Sequence, residues 1–168
     1  MTNDSAQRST GRHDAGPDRA EVVIRPPVLW ALLVLAGLGL DALMPLAFMP
    51  AGLASGWIGF AVWLGGFALA AIAIGQFRRA GTDVQTSTPT SAIVDDGVYA
   101  WSRNPIYVGA HVGLAGVAIG FDTLWVAAAL VPFYLIIRHG VVAPEETYLE
   151  RKFGEPYLAY KRRVRRWL

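Results

Sequence analysis

Four apolar stretches separated by short polar segments run along the chain from residue 28 onwards. The first two, at about residues 28–48 and 57–77, each reach the roughly 20 residues that a helix needs to cross a bilayer. Backbone groups must be paired within the segment in lipid, so both are predicted to be helices. The connection between them is short, uncharged and rich in turn residues: Pro50, Gly52, Ser55 and Gly56. Pro45 marks the point where the first helix is expected to unravel. We therefore expect an antiparallel hairpin.

The third and fourth apolar stretches, at about residues 106–120 and 124–137, are short for a full crossing. Only Phe121, Asp122 and Thr123 separate them. This pattern predicts either a hairpin that spans a thinned bilayer or one that enters the membrane and returns. The predicted fold is thus an all-α integral membrane protein with four transmembrane helices, and the outer ends of the last two lie on the same side.

A C-terminal region at residues 144–167 follows the fourth stretch with a different pattern. Pro144 at a first helical position, with Glu145 and Glu146 in the first turn, is typical of a helix start. Apolar residues then recur at helical spacing, and Gly154 with Pro156 divides the region into two short amphipathic helices. The basic residues that crowd its end favour a position on the anionic inner leaflet.

Composition and charge agree with a membrane protein. Hydrophobic residues make up 54% of the chain and charged residues 17%, which is too apolar for an ordinary soluble domain. Four of the fifteen Lys and Arg residues precede the first stretch, three lie between the second and third, and eight follow the fourth. The positive-inside rule then predicts cytoplasmic termini and a cytoplasmic middle loop. The basic residues are thereby explained without a nucleic-acid partner, and residues 1–25 are expected to form a disordered cytoplasmic tail that precedes a single domain at 26–168.

Several kinds of chemistry are disfavoured by what the chain lacks. It has no Cys, so disulfides, thiolate metal sites and cysteine nucleophiles are excluded. It also has no HExxH, P-loop, GxSxG or GxGxxG pattern, and we predict no metal site. The remaining polar residues gather in three places on the predicted cytoplasmic side: residues 81–97, residues 98–109 and the pair Glu145 and Glu146.

Two of these places carry a resemblance to a known family. The run Gly97-Val98-Tyr99, followed by Arg103-Asn104-Pro105-Ile106-Tyr107-Val108-Gly109, resembles the signature of isoprenylcysteine carboxyl methyltransferases and their bacterial relatives. Glu145-Glu146, together with Leu149, Phe153-Gly154, Tyr157, Tyr160 and Val164, is similar to the C-terminal signature of the same family. The two motifs stand at the family's spacing, and the similarity covers about residues 80–167. The bacterial form of the motif favours a prokaryotic plasma membrane.

The resemblance implies a binding site for the cofactor S-adenosylmethionine. The residues that it assigns to this site are Ser91, Ala92, Ile93, Val94, Tyr99, Asn104, Pro105, Ile106, Tyr107 and Glu145. Glu146 completes the acidic pair, and Asn104, Tyr107 and Glu146 are the catalytic candidates. A carboxylate can bind ribose hydroxyls or an ammonium group, and aromatic rings can stack on an adenine. From spacing alone, the two carboxylates equally fit helix capping.

Two positions depart from the family pattern. Asn104 stands where the eukaryotic members have His, so hydrogen bonding is kept but a role in protonation is lost. Val141 stands where the family has an Arg that contacts the substrate. Arg103, Arg138 and His139 are the substrate-binding candidates that remain, although His139 also fits a polar residue at a membrane boundary.

The resulting prediction is an S-adenosylmethionine-dependent methyltransferase that acts on a lipophilic small molecule or lipidated substrate entering from the membrane lipids. An ionised carboxylate acceptor needs no base, whereas an amine acceptor, as in phospholipid N-methyltransferases, needs Glu146 or Tyr107 to remove a proton. A methyltransferase for a thiol or quinone, and a non-catalytic membrane scaffold, are the alternatives. His111 in the third stretch fits either the cofactor pocket or a helix contact, and Asp41 fits a hydrated outer helix end.

Overall fold

A computed structural model describes residues 25–50, 53, 55–81 and 93–168 of the chain. These residues form helices, turns and irregular segments, and none of them is in a β-strand. The prediction of an all-α fold is confirmed. The predicted tail at 1–25 lies outside the described residues except for Arg25, which precedes the first helix.

The first hairpin consists of α1 (Pro26–Leu43) and α2 (Ser55–Arg79). Helix α1 is shorter than the predicted stretch of 28–48, because Pro45 cannot donate a backbone hydrogen bond that would continue it. The segment after α1 is instead held by polar groups near the start of the fourth stretch. The backbone amides of Phe48 and Met49 donate to Asp122 Oδ1 at 2.9 and 2.7 Å, and the Leu124 amide donates to the Leu46 carbonyl oxygen at 2.8 Å.

Helix α3 (Pro105–Phe121) packs against α2 in the most extensive helix contact among the described residues. Glycines on both helices make this contact possible. A Cβ atom added to Gly66 would lie 2.5 Å from the Gly109 carbonyl oxygen, and one added to Gly116 would overlap the backbone of Trp63. Small residues let helix backbones approach closely in a membrane, where dispersion contacts drive association.

The fourth stretch continues into the C-terminal region without a break. Helices α4 (Leu124–Ala128) and α5 (Leu130–Ile137) lead through a π turn (Arg138–Val142) into α6 (Ala143–Phe153). The sequence predicted a new helix at Pro144, whereas the structure places Pro144 inside a continuous helical segment. In the π turn the Ala143 amide donates to the Arg138 carbonyl five residues earlier. The wider turn accommodates a residue that has no amide hydrogen.

Three helical segments among the described residues are long and apolar enough to cross a membrane: Pro26–Leu43, Ser55–Arg79 and Leu124–Phe153. Helix α3, with 17 residues, is apolar but shorter. The large apolar side chains of α1 and α2 are widely exposed, including Leu35 at 66% and Trp57 at 78%. Such continuous apolar faces suit contact with lipid. The number of four spans and the cytoplasmic position of both termini stay predictions.

After Gly154, which has a positive φ of 59°, the chain forms α7 (Glu155–Arg163) and a segment at 164–168 that we call the C-terminal strap. Tyr157, Tyr160 and Val164 are buried in a cluster with Ile93 and Leu149. The strap then runs beside the residues that precede α3, because the Arg103 amide donates to the Arg165 carbonyl oxygen at 3.0 Å. These contacts assemble α6, α7 and the start of α3 around one cleft.

Candidate functional site

A narrow cleft lies where the C-terminal end of α2, residues 93–104, α6 and α7 meet. Its walls combine aromatic, aliphatic and charged side chains: Phe77, Ile93, Val94, Tyr99, Arg103, Asn104, Val142, Glu145, Glu146, Leu149, Tyr157 and Tyr160. Apolar walls with a few converging polar groups are typical of small-molecule sites. The cleft is therefore the candidate functional site.

Glu146 is the more fully paired of the two adjacent carboxylates. It is 5% exposed and accepts two hydrogen bonds from the Arg166 guanidinium, at 3.0 and 2.7 Å. Arg103 Nη1 lies 3.1 Å from Glu146 Oε1, and the Lys161 amine lies 4.0 Å from Oε2. Three cations from different segments thus converge on one buried carboxylate, which joins α6 to the strap and to the start of α3.

Glu145 also lines the cleft, but no cation or hydrogen-bond donor among the described residues pairs with its carboxylate. Glu145 is half-buried. Removing a carboxylate from water without a partner costs free energy, and such groups concentrate at functional sites. The two neighbouring carboxylates therefore differ in what they do: Glu146 is held by cations, and Glu145 remains available to a ligand.

The aromatic wall is built on a 3₁₀ turn at Gly97–Ala100. Gly97 has a positive φ of 52°, and the Val98 amide donates to Gln76 Oε1 at 3.1 Å, which ties the turn to α2. The Tyr99 ring packs on Phe77 with centroids 4.8 Å apart. Tyr160 donates its hydroxyl hydrogen to the Tyr99 carbonyl oxygen at 2.8 Å.

The tyrosines of this wall stay protonated. Burial is the main cause that raises the pKa of Tyr99 above its usual value, and the nearby Glu145 carboxylate adds to it. Burial likewise raises the pKa of Tyr157 and Tyr160. These hydroxyls are consequently neutral donors at physiological pH.

Asn104, predicted as a catalytic and cofactor-binding residue, makes structural contacts here. It is 9% exposed, and its side-chain amide donates to the Arg166 carbonyl oxygen at 3.0 Å. Its own backbone amide donates to Ser102 Oγ at 3.1 Å. Asn104 therefore fastens the strap at the edge of the cleft while it also lines the cleft.

The structure brings together seven of the predicted site residues as cleft-lining side chains: Ile93, Val94, Tyr99, Arg103, Asn104, Glu145 and Glu146. Pro105 and Ile106 do not line it; Pro105 starts α3, and Ile106 packs against Tyr99 and its neighbours. Tyr107 packs against the main hydrophobic core, within electrostatic reach of Glu145. Ser91 and Ala92 lie outside the described residues.

The other two substrate candidates lie away from the cleft. Arg138 sits in the π turn and donates from Nη1 to the Tyr134 hydroxyl at 3.0 Å. His139 is exposed on the same turn. Arg103, the third candidate, lines the cleft, but its charge is engaged by Glu146.

Sequence reasoning did not assign Arg166, Lys161, Tyr157, Tyr160 or Phe77 to the site. The first two were interpreted only as part of the basic end that lies on the leaflet, whereas both approach Glu146. One signal was available: a buried glutamate is usually paired with a cation, and the C-terminal basic cluster offers several.

Comparison with known proteins assigns the family. The phospholipid methyltransferase family matches residues 54–156, which include α2, α3 and most of the cleft. The chain belongs to the phospholipid methyltransferase family. An uncharacterised protein of Haemophilus influenzae is 49% identical over 51 residues, which cover 27% of this chain and 81% of that relative. No solved structure matches.

Membership of the phospholipid methyltransferase family supports an enzyme that transfers methyl groups to lipophilic substrates at a membrane. Methyltransferases of this family generally use S-adenosylmethionine. The matched range ends in α7, so Tyr160 and Arg166, which complete the cleft, lie beyond it.

Proposed function

We propose that the cleft binds S-adenosylmethionine and that the protein methylates a lipophilic acceptor that reaches the cleft from the bilayer. The observation that carries this proposal is the unpaired carboxylate of Glu145 beside the fully paired Glu146. If both glutamates served only to cap a helix or to neutralise basic residues, Glu145 would gain nothing from facing the cleft instead of solvent.

The residues of the cleft fit the chemistry of this cofactor. S-adenosylmethionine carries an ammonium group, two ribose hydroxyls and an adenine, and Glu145 can accept hydrogen bonds from either of the first two. Tyr99 and Phe77 offer aromatic surface, and Ile93, Val94 and Leu149 offer aliphatic surface. When bound, the cofactor supplies a methyl group on a sulfonium centre.

The protein's part in such a reaction is positioning and exclusion of water. Glu146 joins α6 to Arg103 and Arg166, which fixes the helix that carries Glu145. Holding two reactants in line lowers the entropic part of the barrier, and a buried site keeps water from competing. Glu146 is the weaker candidate for a base, because its oxygens are already engaged by guanidinium groups.

The acceptor belongs to the class of lipophiles with a polar end. We infer a reaction like that of the isoprenylcysteine carboxyl methyltransferases from the two sequence motifs, and methylation of a phospholipid head group is the alternative that the family assignment favours. Both reactions share the cofactor cleft and differ in the group that receives the methyl.

Calorimetric titration of S-adenosylmethionine into the detergent-purified protein tests the proposal. Glu145→Gln keeps the side-chain shape and removes the charge, and we expect it to weaken binding by about tenfold or more, since a hydrogen bond to a charged group is lost. Glu155→Gln is the matched control because Glu155 is 70% exposed and, among the residues that the structure describes, pairs only with Arg162 at the surface. Wild-type protein that binds no cofactor in several lipids, or a Glu145→Gln protein that binds as tightly as wild type, would contradict the proposal.

A further inference from the structure

The imidazole of His111 in α3 is held in one orientation by its own helix. Its Nδ1 lies 2.7 Å from the Tyr107 carbonyl oxygen, one turn earlier. A carbonyl oxygen can only accept, so Nδ1 must carry the hydrogen for this contact to be attractive. In the neutral ring Nε2 is then a bare acceptor, and it is buried with no hydrogen-bond partner among the described residues.

Aromatic side chains surround this acceptor. The His111 ring packs against Phe133 at 4.6 Å between centroids, and the rings of Tyr134 and Trp167 each lie 6.0 Å away. Tyr134 and Trp167 also contact each other at 5.4 Å, and both are only half-buried. A ligand that reaches Nε2 would have to displace one of these rings. A buried polar atom without a partner costs free energy, so a ligand that satisfies it gains that energy on binding.

A cation lies beside the same tyrosine. Arg138 donates from Nη1 to the Tyr134 hydroxyl and lies with its guanidinium carbon 5.8 Å from the ring centroid. No carboxylate among the described residues forms an ion pair with Arg138, and its Nε is buried without a hydrogen-bond partner. Guanidinium groups match phosphate and carboxylate groups with two parallel hydrogen bonds.

The two groups are connected to the cleft through Tyr107. Its carbonyl oxygen contacts His111, and its backbone amide donates at 3.0 Å to the carbonyl oxygen of Asn104, which lines the cleft. Tyr107 and Trp167 pack against the same hydrophobic core. A ligand at His111 therefore lies next to the cleft, on the side of α3 and α5.

We propose that His111, Tyr134 and Arg138 form the head-group subsite for the methyl acceptor, which is a lipid that carries both an anionic group and an N–H or O–H donor. The donor binds His111 Nε2, and the anion binds Arg138. An ionised carboxylate alone would bring its lone pairs against that of Nε2, so His111 selects against acceptors without a donor. This inference rests on the proposed function, because only a methyltransferase needs a subsite for a methyl acceptor. Its residues are not among those that line the cofactor cleft.

The test is a binding comparison of short-chain lipids with the detergent-solubilised full chain in the absence of cofactor. Dihexanoyl-phosphatidylethanolamine has an anion and a donor, dihexanoyl-phosphatidylcholine has the anion alone, and dihexanoylglycerol has a donor alone. N-decanoylserine has a carboxylate and a donor, so its binding shows whether the anion that Arg138 binds can be a carboxylate as well as a phosphate. We expect the first lipid to bind about tenfold more tightly than either of the next two. Equal binding of the first two lipids by wild-type protein would overturn the proposal.

Variants of His111 separate the acceptor from the packing. His111→Phe and His111→Asn should each abolish the preference for phosphatidylethanolamine over phosphatidylcholine; the first keeps the ring, and the second keeps a donor near the Tyr107 carbonyl. His111→Gln, whose amide oxygen reaches towards the position of Nε2, should recover part of the preference. Arg138→Gln should abolish the preference for phosphatidylethanolamine over dihexanoylglycerol. The assignment is contradicted if His111→Phe or His111→Asn keeps the preference over phosphatidylcholine. It is also contradicted if Arg138→Gln keeps the preference over dihexanoylglycerol.

Nitrogen-15 NMR of the free protein reports the tautomer of His111, which does not depend on binding affinity or activity. The chain has three histidines, His13, His111 and His139, and the His111→Asn spectrum identifies the resonances of His111. We expect a hydrogen on Nδ1 and a bare Nε2 whose resonance moves with phosphatidylethanolamine and not with phosphatidylcholine. A hydrogen on Nε2 in the free protein overturns the inference. Failure of cofactor binding in the Glu145 experiment would leave these results unchanged, so the two proposals fail separately.

Discussion

Two adjacent glutamates, Glu145 and Glu146, have opposite environments at the residue scale. Glu146 neutralises Arg103, whose side chain is 8% exposed, and Arg166, whose side chain is 30% exposed. Glu145 faces the cleft with no cation among the described residues. A neutral side chain at 146 would leave a buried guanidinium uncompensated, whereas a neutral side chain at 145 would remove an unpaired charge.

We predict that Glu146→Gln lowers the free energy of unfolding by about 3 kcal/mol, because one partner of a buried ion pair is removed. Glu145→Gln should leave it unchanged or raise it. Both values can be measured by unfolding the purified protein in mixed micelles of rising SDS content. Equal destabilisation by the two variants would contradict this prediction, because it would mean that the ion pairs of Glu146 add nothing to the free energy of unfolding.

The sequence could identify this acidic pair but could not assign the two roles. The motif Pro144-Glu145-Glu146 marked both residues as candidates, and helix capping was an equally good explanation. The cations that distinguish the two roles are Arg103 and Arg166. They are distant from each other along the chain and contact Glu146 only after folding. Asn104 illustrates the same limit, because its amide is bonded to a backbone carbonyl 62 residues away.

At the scale of elements, the contact between α2 and α3 positions the cleft. Glycines set the distance between these helices, and α2 carries Gln76 and Phe77, which hold the 3₁₀ turn and the Tyr99 ring. A change in the distance between α2 and α3 should therefore displace the aromatic wall of the cleft, although the glycines themselves do not line the cleft.

We predict that Gly66→Ala destabilises the protein by about 2 kcal/mol, since its Cβ would overlap the backbone of α3. Gly65→Ala is a matched control, because nothing lies within 4 Å of the position of its Cβ. Unfolding in mixed micelles gives the two free energies, and cofactor titration should show weaker binding for Gly66→Ala alone. Equal effects at the two positions would argue against close packing of α2 and α3.

The helices themselves were predictable from the sequence, because long apolar stretches in lipid have few alternatives to a helix. Their junctions were only partly predictable. Pro45 indicated where α1 unravels, whereas Pro144 was accommodated inside a helix by the π turn. A proline is compatible with a helix start or with a widened turn, and the choice depends on how α6 packs against its neighbours.

At the scale of the whole molecule, the C-terminal strap closes the structure around the cleft. Its backbone accepts hydrogen bonds from Arg103 and Asn104, Arg166 binds Glu146, and Trp167 packs on His111 and Tyr134. The strap thus touches both the proposed cofactor cleft and the proposed head-group subsite. The sequence placed Val164 in the C-terminal motif and indicated the basic character of the strap, which suggested a surface on the leaflet, but it predicted neither of these contacts.

Removal of residues 164–168 should abolish detectable cofactor binding while the helix content by circular dichroism stays nearly unchanged. The physical reason is that the truncation leaves Glu146 without the two hydrogen bonds from Arg166 and exposes the edge of the cleft at Asn104, whereas the apolar helices keep their packing. Removal of Leu168 alone is the control, because that side chain is 72% exposed. Arg166→Gln should reproduce most of the loss if the ion pair is responsible, and little of it if the backbone contacts of the strap suffice. Cofactor binding that survives the full truncation would mean that the cleft is complete without the strap, and the proposed role of the strap would then be wrong.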